Sequence, residues 1–248
     1  MKKALVLPVL VVMISVLVFS AQNAMAVTST VHDQLSCQSA PISGVWTVAN
    51  KTCTVGVLVV GPADTVGIAK TVTLSIGTVT SSGVIQNNGT ILIKSGGVIT
   101  TSGTFTNNGI ITSRGTITNS GPFNNFGKIT SSATITNGPT GTITDNGKII
   151  STGVITSSGS MIVGTLGVLN NNGGVFTNTL NLVNNGAIVT TGTFTNSGPV
   201  MNNGVTVNKG LITNSNTITN AGFILNLCGG KVTNSGTISG HPVLTICG

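Results

Sequence analysis

A six-residue period dominates this chain. Twenty-six units with the consensus G-T-I-T-N-S run from Gly77 to Gly240, and those opening at Gly97, Gly103, Gly109, Gly115, Gly121 and Gly127 follow without a break. The first position is Gly in 23 of the 26, with Ala133, Leu180 and Asn216 as exceptions. The third is large and apolar in 25, where a chain that is 40% hydrophobic would give about ten by chance; only Thr206 departs. The fifth is Asn in 15 and Ser, Thr or Asp in 8 more. A strict short period means that each unit packs against its own copies in neighbouring turns, as in a solenoid.

Within a unit the apolar residue alternates with polar ones, as in Thr116-Ile117-Thr118. A period of two means strand, and Thr, Ile, Val and Phe suit strands. Positions one, three and five share a face, so Gly, Ile and Asn are expected to point inward and Thr and Ser outward. An N-S-G or N-N-G corner fits after each four-residue strand, because Asn and Gly tolerate left-handed backbone. Strands this short cannot form hairpins every six residues. They can wind as a coil in which each strand pairs in parallel with its equivalent one turn later.

Phe105 and Phe123 are 18 residues apart, and so are Phe176 and Phe194. Like stacking on like implies three units per turn and a triangular section, with Phe105, Ile117, Phe123, Ile135, Phe176 and Phe194 as members of the core ladder. The expected fold class is all-β, a single parallel β-solenoid. The units make close to nine turns, a rod on the order of 40 Å long at the usual strand spacing. Five longer steps between units, such as Gly89 to Gly97 and Ala133 to Gly141, are expected to be widened corners that leave the turns intact. Inward Asn side chains are expected to add amide ladders along the axis.

A parallel coil exposes open strand edges at its ends unless something covers them. Cys37 and Cys53 precede the array, and Cys228 and Cys247 follow or close it. The ends of a rod lie tens of Å apart, whereas bridged Cα atoms must be within about 7 Å. Each end must therefore close on itself, as Cys37–Cys53 and Cys228–Cys247. The expected organisation is a signal peptide over 1–26, an N-terminal cap with the first turns over 27–76, the repeat over 77–227, and the last turn with a C-terminal cap over 228–248. Trp46 is available to close the core at the first end. A rod capped at both ends is expected to be a monomer, with end-to-end association following if a cover is loosened.

Lys2 and Lys3, the apolar run Ala4 to Phe19 and Ala24-Met25-Ala26 form the pattern of a cleaved secretory signal. The run is short for a membrane span, and no later segment reaches spanning length. The expected product is secreted, begins at Val27 and is extracellular or held at the cell surface, where disulfides persist. It carries eight Lys plus Arg against Asp33, Asp64 and Asp145, a net charge of +5. These cations are scattered and there is one Trp and no Tyr, which argues against nucleic acid, whose binders cluster cations and stacking aromatics.

Catalysis on a β-helix needs clustered acids, bases or His at a groove. Asp145 is the only acidic residue inside the repeat; it occupies an Asn position and reads as a corner residue. His32 and His241 form no metal-ligand spacing with the cysteines, and hexapeptide acyltransferases depend on a coil His that residues 77–240 lack. No catalytic residue, cofactor site or metal site is therefore expected. Outward T-x-T pairs on a flat parallel sheet form an ice-matching array when one face carries them through many turns. Thr116/Thr118 and Thr134/Thr136 stack, but Val98/Thr100, Val154/Thr156 and Leu211/Thr213 interrupt them, so ice binding ranks below the other readings. Asn50-Lys51-Thr52 and Asn88-Gly89-Thr90 match the N-glycosylation acceptor pattern.

The units Gly115-Thr116-Ile117-Thr118-Asn119-Ser120 and Gly192-Thr193-Phe194-Thr195-Asn196-Ser197, with Cys37, Trp46 and Cys53 ahead of them, resemble the secreted Asn/Gly/Thr-rich β-solenoid surface proteins of prokaryotes. They are also similar to haemagglutinin-type adhesin repeats. The resemblance covers most of the mature chain. It implies an extracellular structural role, or an adhesive one toward surface glycans or other surface proteins. A left-handed triangular coil fits the period and the adhesin-like repeats imply a right-handed one, so the hand stays undetermined.

Overall fold

A computed structural model describes residues 26–247; the signal pattern lies outside the described residues apart from Ala26. The chain winds as a parallel β-solenoid of about 10 turns with almost no helix. Its start is less regular than its middle: β1 (Thr28–Val31), α1 (Gln34–Gln38), β2 (Val45–Thr47), β3 (Thr52–Val60), β4 (Thr65–Ile68), β5 (Thr73–Ser81), β6 (Val84–Asn87) and β7 (Thr90–Thr101). Beyond them almost every strand has four residues, from Thr104–Asn107 to Val243–Ile246.

One side of the coil is an 11-stranded parallel sheet that runs from β1 through β4 and β6 to Thr237–Gly240. The other two sides are joined because β3, β5 and β7 run round a corner and serve both. Thus Thr90–Ile93 of β7 pairs with Ile110–Ser113, while Val98–Thr101 pairs with Thr116–Asn119. Pairing already begins upstream of Gly77, with Val31 beside Ile68, Cys53 beside Leu74 and Leu58 beside Val79. Those turns bury Val and Leu without the Gly/Asn signature, which is why counting units from Gly77 gave nine turns.

Register follows the apolar third position. Phe105 pairs with Phe123 and Phe176 with Phe194, and the rings stack with centroids 4.6 and 4.8 Å apart. Ile117 lies opposite Ile135, and all six of these side chains are buried. Where the chain has extra residues the register survives: Ile135 pairs with Ile155, Met161 with Leu182 and Ile212 with Val232. Three of the widened corners absorb their surplus at Gly96 (φ 75°), Gly173 (φ 79°) and Gly229 (φ 87°), a left-handed backbone that glycine alone adopts without cost.

The regular corners do not use that freedom. Positive φ occurs at none of the ordinary first-position glycines, which corrects the expected role of Gly. A Cβ at Gly109 would collide with the carbonyl oxygen of Gly89, and one at Gly192 with that of Gly174. The glycine is there because successive turns approach each other too closely for a methyl. Nor is the first position a core position. Leu180 stands there 47% exposed, so inward packing belongs to positions three and five.

At the N-terminal end β2 runs antiparallel to β3, with Trp46 opposite Cys53. Asp33 caps α1 by accepting from the Ser36 amide at 2.8 Å. Cys37, Ile42 and Cys53 are fully buried, and Trp46 packs half-buried against the core. The expected C-terminal cap is different. Lys231–Asn234, Thr237–Gly240 and Val243–Ile246 each pair with the preceding turn, and Val232, Ile238 and Val243 remain only partly buried. Cys228–Cys247, with Cα atoms 4.9 Å apart, ties a corner to the end of the last turn and lays no cover across it.

Candidate functional site

The interior is used for cohesion. Where Asn follows Asn at position five, the side chains hydrogen-bond from turn to turn, Nδ2 of one donating to Oδ1 of the next. On the 11-stranded face Asn87 donates to Asn107 and Asn107 to Asn125, both at 2.7 Å. Farther on, Asn184 donates to Asn202 at 2.7 Å and Asn202 to Asn220 at 2.6 Å. A second ladder runs Asn178, Asn196, Asn214, Asn234 with bonds of 2.7–2.8 Å. Most buried amides in such files are satisfied along the rod axis, and this offsets the cost of taking them out of water; the Oδ1 of Asn178, at the start of the second ladder, has no partner. Thr206, the one polar residue at position three, donates from Oγ1 to Asn202 Oδ1 at 3.1 Å.

Asp145 interrupts the first ladder. It pairs with Asn125 on one side and Val163 on the other and is fully buried, inward as its position in the unit implies. Its Oδ1 accepts from Asn125 Nδ2 at 2.6 Å and from the Gly147 amide at 3.2 Å, and Oδ2 is buried without a partner. Burial pushes its pKa up to about 6, against the opposing effect of the Asn125 and Gly147 hydrogen bonds. Among the described residues the one side chain that hydrogen-bonds to this carboxyl is Asn125.

The disulfides join the residues expected, Cys37 to Cys53 with Cα atoms 5.7 Å apart and Cys228 to Cys247. Among the described residues no three His, Cys, Asp or Glu side chains come together, and no helix is long and apolar enough to cross a membrane. Asn50 lies exposed in the short 3-10 turn before β3, and Asn88 at an exposed corner after β6. Asn88 Oδ1 accepts from Asn108 Nδ2 at 2.9 Å, and Asn185 from Asn203 at the same distance. Corner amides thus stack on the outside as those of position five do within.

The outward side chains hold one feature that the sequence reading missed. On the face that carries Ile117, the fourth position is Thr in nine successive turns. Thr80 is followed by Thr100, Thr118 and Thr136, then by Thr156 and Thr177, then by Thr195, Thr213 and Thr233, each paired with the next. The second position beside it is Thr or Val from Thr78 through Val98 and Val154 to Thr193. The other faces, built from the same unit, are mixed. The 11-stranded face carries Gln86, Asn124, Ile162 and Met201 at position four. The T-x-T pairs are spread over two faces, as expected, but the single file is unbroken. Following position four alone, with the corner insertions subtracted, is the signal that finds it. Searches against family models, curated proteins and solved structures return no match for this chain.

Proposed function

We propose that this chain is a non-enzymatic, exported structural β-solenoid of the cell surface or extracellular matrix. The observation that carries the proposal is the interior: apolar side chains stack along the coil, and amide ladders run from Asn87 to Asn125 and again from Asn184 to Asn220 on one face and from Asn178 to Asn234 on another. A rod whose inward side chains mostly bind one another from turn to turn is suited to bearing load or spacing other components. Disulfides at both ends fit an oxidising compartment, and the resemblance to secreted surface solenoids points the same way. The test is to locate the protein by cell fractionation and to sequence its N-terminus. A product beginning near Val27 in the envelope or matrix fraction supports the proposal. A full-length product retained inside the cell overturns it.

A second reading, a glycan-binding adhesin, is favoured by the stacked outer amides at Asn88–Asn108 and Asn185–Asn203. An amide offers a donor and an acceptor together, the pairing that sugar hydroxyls require. Saturable binding on a glycan array, lost on Asn108→Ala and Asn203→Ala, supports this reading over the purely structural one.

A further inference from the structure

We propose that the Thr/Val face of the coil is an ice-binding surface. This goes beyond the structural role and does not depend on it. From Thr78 to Thr195 the face spans seven turns, and its fourteen outward positions are all Thr or Val. The two side chains have the same outline, so the face has no step along that length and no charge. Both branch at Cβ and are restricted at χ1, so an ordered array exists before anything binds and little rotamer entropy remains to be lost.

The spacing selects the occupant. Phe176 and Phe194 lie on the inner side of the strands that carry Thr177 and Thr195, and their ring centroids are 4.8 Å apart. Paired strands lie about 4.8 Å apart in general, so the hydroxyl file, with one Thr on each paired strand, repeats at about that distance. It is too long for neighbouring hydroxyls to bond to one another, so their hydrogen-bonding capacity faces outward. In a tetrahedral water network with O···O contacts of about 2.75 Å, second-neighbour oxygens are about 4.5 Å apart. A file of hydroxyls at nearly that repeat can replace a row of lattice oxygens over several turns, and the adjoining methyls fill the gaps between them. If Thr and Val were only generic strand-formers on a solvent face, all three faces would carry the same file, because all are built from one repeat. The other two do not.

The experiment uses the oxidised chain from Val27, fluorescently labelled, in ice-plane affinity and thermal-hysteresis measurements. Thr136→Lys places a long cation in the middle of the file. Thr144→Lys makes the same change at the same unit position on the 11-stranded face. Melting curves establish that both variants fold. The expected result is uptake of the wild type and of Thr144→Lys onto defined ice planes, with a several-fold loss of hysteresis in Thr136→Lys. Exclusion of the folded wild type from ice overturns the proposal, and so does an equal loss in both variants. Disulfide dimers formed in high yield by Thr136→Cys, without ice uptake by the wild type, would assign the face to a second copy of the chain and overturn it as well.

Discussion

Asn125 donates from Nδ2 to Oδ1 of Asp145 at 2.6 Å, and the ladder stops there because the next residue in the file is Val163. Among the described residues this is the one buried carboxyl, and its Oδ2 has no partner. Its folded pKa is raised to about 6 from 3.8, so between those values the folded chain binds a proton that the unfolded chain releases. Its contribution to stability is therefore fully present below about pH 4 and is lost as pH rises through 6, by about 3 kcal/mol in all. Thermal melts between pH 4 and 8 are expected to show that decline. In Asp145→Asn the new amide donates to the Gly147 carbonyl, as Asn125 does to Gly127 at 3.3 Å. This variant is expected to be more stable at pH 8 and to lose the decline.

Inward and outward positions differ sharply along one strand. Ile117 is 1% exposed, whereas Thr118 beside it faces solvent. Ile117→Asp is expected to cost several kcal/mol and Thr118→Asp less than about 0.5 kcal/mol. Denaturant titration of the two variants checks this, and equal losses would contradict the assignment of faces.

The close approach of successive turns sets a third expectation. A methyl on Gly192 meets only backbone atoms of the Gly173–Gly174 corner, which cannot move aside without parting two strands. Gly192→Ala is expected to destabilise by about 1–3 kcal/mol. Leu180→Ala, at the same unit position but with its side chain in solvent, is expected to stay within about 1 kcal/mol. Paired melting curves test the difference.

The two disulfides are expected to separate under mild reduction. Cys37 and Cys53 are both fully buried beneath the N-terminal cap, while Cys228 and Cys247 are exposed. Thiolate attack requires access to a sulfur, so alkylation with peptide mapping should find Cys228 and Cys247 modified first. Each bridge closes a loop of a size that contributes about 3 kcal/mol, so the C-terminal turn should be the first part of the rod to lose amide protection.

What the sequence determined by itself was whatever repeats locally. Alternation over four residues made strands, the apolar third position made the core, and the 18-residue spacing of Phe105 and Phe123 made three units a turn. The length of the rod forced Cys37 to Cys53 and Cys228 to Cys247. Three things needed the tertiary structure, each because it depends on contacts between turns. Gly109 is required by the Gly89 carbonyl one turn away, which no φ preference reveals. Asp145 lacks an amide partner on one side because its neighbour in the file there is Val163, 18 residues distant. The Thr file from Thr80 to Thr233 is hidden in the sequence because widened corners change its spacing from 18 to 20 and 21 residues between Thr118, Thr136, Thr156 and Thr177. Strand pairing restores the alignment, since the backbone ladder and the buried Ile and Phe stacks hold each turn in register whatever the corner contains.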